Sequence, residues 1–588
     1  MNSRLILRWL VLWVGVGAAM RAFFLSQYPA DPALIGGTAF FAGALNDVLA
    51  FLLALGLAAL CNLVHPRLAR PGFVLALAVA WLVCVAEIFF WLEFEGRLDR
   101  LVFHYLAYPK EVLVFLEDQF YLSLFAVPFI VLVWLTYRGL GHPDRDSPRS
   151  RAAALVLAAV GVLLWGSPWQ PAALADSRVA LAFVNNGYLS VLEDARYPVD
   201  DIVWLQQQTT SATAAPLVPP GPLRQQLARK RHVVLIIQES FAGPVWREAE
   251  LRQRYLPNFV ALEKRSLSFT NLYATGSRTT RGMEAILNGF PPLPGISTTE
   301  RAQYERLPAL PRVLQQAGFR TAFLYGGWPD FSNFSNYWRA AGFQQIWSRE
   351  DFNEDFETSW GVSDQALFTR LLAEMSALTH QHDRVFLSTL TVSHHRPYEF
   401  PPGVVAWPAD ARESAYAMAY ADQSLGDFMR QASEQDWYND TIFIVVADHG
   451  PYPRGDAIIP LDSFRIPLLI YGNGISPRVF AAPGSSISLP LTVLQMLDLP
   501  KTESFSGASL LCDCATPVPV EYGYHLGLLE DNQLQVLDRH GGWRQWQYTP
   551  ESGALLPLSA QTGVSEQQQR LLAMFAPAYQ WYYSKRPD

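Results

Sequence analysis

Five apolar stretches crowd the first 168 residues: Trp9–Leu25, Ala39–Val64, Phe73–Leu92, Phe120–Tyr137 and Ala152–Trp165. A hydrocarbon layer about 30 Å thick is crossed by roughly 20 apolar residues in a helix, so four stretches can span it, and the fifth can with its flanks. A cleaved secretory leader explains one such stretch and not the four behind it. Composition points the same way. Half of the 588 residues are hydrophobic and 17% are charged, where a soluble chain carries about 25%. The expectation is an α-helical membrane domain of five transmembrane helices over residues 1–168.

Basic residues orient such a domain. Arg4 and Arg8 precede the first stretch, Arg67 and Arg70 follow the second, and Arg138, Arg145, Arg149 and Arg151 follow the fourth. The loop Ser26–Thr38 has no Lys or Arg, and Arg97, Arg100 and Lys110 are diluted by Glu95, Asp99, Glu111, Glu117 and Asp118. The pattern predicts a cytoplasmic N-terminus and an extracytoplasmic location for everything after Pro168. Asn46, Asp47 and Glu87 fall inside or beside the apolar stretches, where polar groups either pair between helices or mark a path. Leu101–Leu116, broken at Pro109, has the pattern of an interfacial helix.

Residues 169–230 form an extracytoplasmic linker, Pro-rich and of low complexity over 206–222. Short β-branched or aromatic runs then begin at 232, 321, 385, 441 and 466, separated by helix-like patterns such as 309–318 and 414–433. Apolar strands alternating with helices predict an α/β domain with a mostly parallel central sheet over 231–514. A small C-terminal α+β subdomain follows over 515–588, with antiparallel strands in YGYHLGLL and QVLDRHGGWRQWQY. A net charge of −8 gives no basic field for nucleic acid. Four cysteines exclude a disulfide scaffold, and Cys512 and Cys514 stand too close in sequence for an easy bridge.

Two strand ends carry metal-type ligands: Glu239 after the first, Asp448 and His449 after the fourth. Parallel sheets bind ligands at their carboxyl edges, and two carboxylates with an imidazole suit Mn²⁺ or Zn²⁺. Between them ATGSRTTRGMEAILNGFPP, residues 274–292, runs a small polar loop into a helical pattern. A hydroxyl there becomes a nucleophile if a metal lowers its pKa, and Thr279 and Thr280 are both candidates.

These pieces in this order resemble the alkaline phosphatase/sulfatase superfamily, and with the apolar N-terminus its lipoteichoic acid synthase-like branch of membrane-anchored phosphoglycerol transferases. The resemblance implies one divalent ion, Mn²⁺ before Zn²⁺ or Mg²⁺, held by Glu239, Thr279, Asp448 and His449. The family threonine follows a basic residue, as Thr279 follows Arg278, which leaves Thr280 as a helix cap. TLTVSHHRPYEFP is similar to the family's Ser-Asn-His-x-Pro segment, which makes His395 the histidine at the substrate or leaving group, with His394 in place of Asn. The family's substrate-gripping Trp and Arg align with Ser332 and Phe334, while Trp338 and Arg339 stand nearby at another spacing. The sulfatase Cys-x-Pro-x-Arg segment does not occur in the sequence.

The implied activity is transfer of a phosphoalcohol, phosphoglycerol from phosphatidylglycerol, to an extracytoplasmic glycan or glucan through a phosphothreonine. It implies a multi-pass protein of the bacterial inner membrane with a periplasmic catalytic domain. A phosphoethanolamine transferase, a metal-dependent phosphodiesterase and a non-catalytic anchored binding protein are the alternatives.

Overall fold

The computed structural model describes residues 3–27, 32–64, 69–94, 96–98, 177–196, 222–301, 304–404, 414–452, 456–500, 505–538, 541–558 and 565–583, with single positions between 102 and 134. The chain divides into two compact units, Met1–Pro198 with Arg454–Ile458, and Val199–Pro453 with Ile459–Asp588.

The first unit contains three long helices, α1 (Ser3–Gln27), α2 (Pro32–Val64) and α3 (Ala69–Phe94). Among the described residues, Leu7–Ser26 and Thr38–Gly56 are the two windows long and apolar enough to cross a membrane. The stretches Phe120–Tyr137, Ala152–Trp165 and Leu101–Leu116 lie outside the described residues apart from single positions. Four polar residues of these helices, Arg21, Asn46, Asp47 and Glu87, are paired. Arg21 meets Asp47 at 2.6 and 3.0 Å and donates to the carbonyls of Gly43 and Phe183. Asn46 donates to the carbonyl of Val184, while Arg97 binds both oxygens of Glu87 and the carbonyl of Ala182. Those three carbonyls end the helix Arg178–Val184, where no intrahelical donor remains, so the buried side chains satisfy them. Asn46, Asp47 and Glu87 thus act as helix ties.

The second unit is built on a mixed sheet whose strands are β1 (His232–Gln238), β2 (Leu267–Tyr273), β3 (Arg320–Tyr325), β4 (Gln345–Trp347), β5 (Val385–Leu390), β6 (Thr441–Ala447), β7 (Arg465–Tyr471), β8 (Arg478–Phe480) and β9 (Gly484–Ser485). Their order is β8-β2-β7-β6-β1-β5-β3-β4, with β9 on β2. Every residue of β1, β5 and β6 is buried, as expected for strands covered on both faces by helices. In β1–β6 Gln238 pairs with Ala447, in β1–β5 Ile237 with Leu390, and in β3–β5 Tyr325 with Leu390. The four central strands therefore end in step, and the residues just beyond them share one edge.

One strand departs from the parallel expectation. β7 runs antiparallel to both β6 and β2. Among its described residues the segment from Asp448 to Phe464 contains a 3₁₀ turn and no crossover helix, and a chain that returns without a crossover pairs antiparallel.

Beyond the large sheet the strands Val518–Tyr522, His525–Glu530, Gln533–Leu537, Trp543–Thr549 and Ala554–Pro557 form an antiparallel meander. Asp531 and Asn532 both have positive φ, the conformation of a two-residue hairpin turn. Leu526 and Leu528 of this sheet share a core with Phe290, Leu293 and Leu307 and with Leu571, Phe575 and Tyr579 of the helix Glu566–Tyr583. Cys512 and Cys514 form a disulfide, contrary to the reading of their spacing. Asp513 between them is left-handed (φ 53°), which folds the chain so that the two Cα atoms lie 5.2 Å apart, inside the bridging range.

Candidate active site

Glu239 follows β1, and Asp448 and His449 follow the neighbouring β6, so the in-step strand ends bring all three together in buried surroundings. Ser240 has positive φ and turns the chain back, its N–H donating to Asp448 Oδ1 at 2.8 Å and its hydroxyl to Glu239 Oε1 at 2.7 Å. The N–H of His449 also donates to Asp448 Oδ1, which fixes that carboxylate. His449 Nδ1 donates to the Gly450 carbonyl at 2.6 Å, leaving Nε2 as the bare nitrogen, 3.6 Å from Glu239 Oε1 and 3.5 Å from Asp448 Oδ2.

These residues fit a divalent ion. Their ligand atoms lie within 4.8 Å of one another, and Asp448 Oδ2 is buried with no hydrogen-bond partner. Burial, and then the charge of Glu239, push the Asp448 carboxyl well above its ordinary value. Burial also acts to raise Glu239, but His395, His449 and the hydroxyls of Ser240 and Thr279 outweigh it and hold that carboxyl low. Two buried carboxylates face to face are relieved by a cation between them. Oxygen and imidazole ligands without sulfur admit Mn²⁺, Zn²⁺ or Mg²⁺.

Thr279 completes the cluster. The chain is extended through Arg278, whose carbonyl accepts from Arg281 and Gly282, so Thr279 opens the helix Thr279–Met283. Thr279 Oγ1 donates to Glu239 Oε2 at 3.1 Å. Thr280 is the buried second residue of the helix and not its cap, because the extended segment ends one residue earlier than a cap at Thr280 requires. The helix comes so near β6 that a Cβ on Gly282 would lie 2.5 Å from the Asp448 carbonyl oxygen, and only glycine allows that approach.

The loop before Thr279 is held from the C-terminal sheet. The N–H of Glu521 donates to the Thr275 carbonyl at 2.7 Å. Fully buried Arg281 binds both oxygens of Glu284 and the Gly295 carbonyl, with Glu521 at 3.9 Å. Tyr582 of the last helix donates to Thr298. Arg281→Ala leaves Glu284 and Glu521 buried without their cation, and we expect a stability loss of about 3–5 kcal/mol, read as a lower thermal midpoint of the full chain. An unchanged midpoint would remove this clasp from the account.

His395 Nδ1 donates to the Arg396 carbonyl at 2.8 Å, which turns Nε2 away from that contact, and its ring lies 3.9 Å from that of Trp360. His394 is a buttress. Its two ring nitrogens join the Glu239 carbonyl and the Ser414 hydroxyl, and burial lowers its pKa to about 4, so it is neutral. Trp338 is a core residue stacked on Phe323 and Phe334, Arg339 is exposed, and Ser332 and Phe334 are buried. The structure brings Glu239, Thr279, Asp448 and His449 together.

Three further residues belong to the site and escaped the sequence reading. Tyr325 is buried at the end of β3, in step with β5 at the same sheet edge, and burial followed by the charges of Glu239 and Asp448 raises its hydroxyl. Asp364 Oδ1 accepts from the N–H groups of Val392 and Ser393 at 3.0 Å each, fixing the turn that delivers the two histidines. Trp360 donates its indole N–H to the Arg396 carbonyl and carries the His395 ring. Ser363-Asp364 opening a helix was a visible signal, but it reads as an ordinary N-terminal cap.

The sequence pattern of the sulfatase family matches residues 231–499. A phosphoglycerol transferase I from Xanthomonas euvesicatoria is 25% identical over 335 residues, 53% of this chain and 47% of that protein. The chain thus spans about half the length of the curated relatives it matches. A crystal structure of an alkaline phosphatase superfamily protein from Vibrio parahaemolyticus superposes with TM-score 0.57 at 30% identity, covering 66% of this chain and 93% of that one. A lipoteichoic acid synthase from Listeria monocytogenes shares the fold at TM-score 0.50 and 17% identity, covering 65% and 96%.

Proposed function

The chain belongs to the alkaline phosphatase superfamily, and from that premise we propose that it is a membrane-anchored phosphotransferase moving phosphoglycerol from phosphatidylglycerol to an extracytoplasmic glycan. The observation that carries the reading is the Thr279 hydroxyl, 3.1 Å from Glu239 and beside the Asp448–His449 pair. Phosphoglycerol transferases among the relatives support the choice of transferred group.

A divalent ion bound by Glu239, Thr279, Asp448 and His449 would lower the pKa of the hydroxyl and offset phosphate charge. In the first step Thr279 Oγ1 attacks the lipid phosphorus in line, and its proton leaves along the hydrogen bond to Glu239 Oε2. The bond from phosphorus to the diacylglycerol oxygen breaks, and that oxygen takes a proton from His395 Nε2. In the second step an acceptor hydroxyl gives its proton to His395 Nε2 and attacks the phosphothreonine. The phosphorus–Oγ1 bond breaks and Thr279 recovers its proton. His395, oriented by the Arg396 carbonyl and Trp360, serves both steps.

The test is incubation of the full chain with phosphatidylglycerol labelled in its glycerol headgroup, with and without glucan. Label should appear on Thr279 without acceptor and on glucan when it is present. Label released only as glycerol phosphate, with none on glucan, makes the protein a phosphodiesterase on the same residues.

The arginine distribution supports an inner-membrane protein with its catalytic unit in the periplasm. Reporter fusions at Gly141 should signal cytoplasm and fusions after Pro168 periplasm. Reversed signals would put the metal-type cluster on the wrong side for an extracytoplasmic acceptor.

A further inference from the structure

Two tryptophans stand near the carboxyl edge of the sheet, Trp360 beneath His395 and Trp328 with no part in the steps above. Trp328 follows β3 by three residues and is 43% exposed. Trp360 lies in the turn between the short paired strands Glu357–Thr358 and Gly361–Val362 and packs on His395. An antiparallel bridge between Gly327 and Gly361 joins the two segments, with Val362 N–H donating to the Gly326 carbonyl at 3.0 Å. By the register of this isolated bridge, residue 328 comes opposite residue 360. The approach is built in: Gly361 has φ of 143°, and a Cβ there would lie 2.1 Å from the Gly326 carbonyl oxygen.

Charged groups border these two segments. The Arg349 guanidinium sits 5.9 Å from the Trp328 ring centre and donates to Glu357 at 2.7 Å. Glu399 accepts from the N–H of Ser359 at 2.6 Å. β3 is separated from β1 by β5 alone, so at about 4.8 Å per strand the end of β3 lies roughly 10 Å from Glu239 along the edge. That is the reach of a group bonded to the phosphate, on the side where His395 stands.

An exposed indole bordered by a guanidinium and carboxylates suits a ligand with an apolar face and a hydroxylated rim. A pyranose ring has that form: its C–H face lies on the indole and its hydroxyls meet the charges. An acyl chain would leave the charged border desolvated and unpaired. Resting on the phosphotransfer reading, we propose that Trp328 and Trp360, with Arg349, form the acceptor subsite and hold a sugar ring so that its hydroxyl reaches His395.

The experiment is equilibrium binding of β-(1→2)-, β-(1→3)- and β-(1→4)-linked gluco-oligosaccharides to the full chain in phosphatidylcholine nanodiscs, with no phosphatidylglycerol present. At least one should bind the wild type, about tenfold more weakly to Trp328→Ala, with most of the loss recovered in Trp328→Phe. In turnover the same variant should raise the KM for that glycan and not the KM for phosphatidylglycerol. Binding of none of the three by the wild type, or equal binding by Trp328→Ala, overturns the subsite. A raised KM for phosphatidylglycerol with intact glycan binding gives the indole to the lipid, which also overturns it. Labelling of Thr279 needs no acceptor, so its failure sinks the phosphotransfer reading separately.

Discussion

Thr279→Ala should form no covalent adduct with phosphatidylglycerol and should lose turnover on the order of 10⁴-fold or more, as expected when a nucleophile is removed. Its hydroxyl is the one directed at Glu239 Oε2, at 3.1 Å. Thr280→Ala should keep most activity and change stability by only about 1 kcal/mol, because Thr280 is the next residue of the helix and its side chain points roughly 100° away. Both variants should fold and bind metal, since Glu239, Asp448 and His449 are untouched. The decisive measurement is the mass of the peptide that contains both threonines after exposure to lipid. An adduct that survives in Thr279→Ala and vanishes in Thr280→Ala moves the nucleophile by one residue. Full activity in both variants removes the covalent mechanism.

The second large effect concerns the ion. Glu239→Gln, Asp448→Asn and His449→Ala should each lose bound metal and lower turnover by at least about 100-fold, measured by elemental analysis and by the labelled-lipid assay. Asp448→Asn is the cleanest of the three. Its remaining oxygen can still accept from the N–H groups of Ser240 and His449, so the local backbone is kept while the charge is lost. Chelation of the wild type should lower its thermal midpoint, since Glu239 and Asp448 are then left facing each other in a buried place. Near-normal activity in any two of the three variants rejects the ion site as drawn.

The strands carrying the metal-type ligands were legible because β1 and β6 are continuous apolar runs whose ends are marked by polar residues. Both lie at the centre of the sheet, where composition follows burial on two faces. β7 is equally apolar, yet its direction depends on the connection before it, and strand composition carries no direction. Thr280 looked like a cap because Ser, Thr and Asp pattern alike around helix starts, and the extended φ of Arg278 that settles the start is a backbone property. Cys512 and Cys514 were misjudged for the same kind of reason, since Asp513 adopts a conformation that few residues visit. Tyr325, Asp364 and Trp360 acquire their parts only when β3 and β5 end side by side. That adjacency joins residues far apart in the chain, and no local pattern announces it.

The clasp on the nucleophile loop has a consequence for biosynthesis. Thr275 is held by residue 521, and Thr298, on the strap behind the nucleophile helix, by residue 582. A nascent chain emerges N-terminus first, and its domains fold as units. Every metal-type ligand, through His449, is therefore outside the ribosome while the loop that aims Thr279 still lacks its anchors. The loop has its anchors only once residues 521 and 582 have been delivered, so on the proposed mechanism a chain stalled before them should gather an ion and form no phosphothreonine.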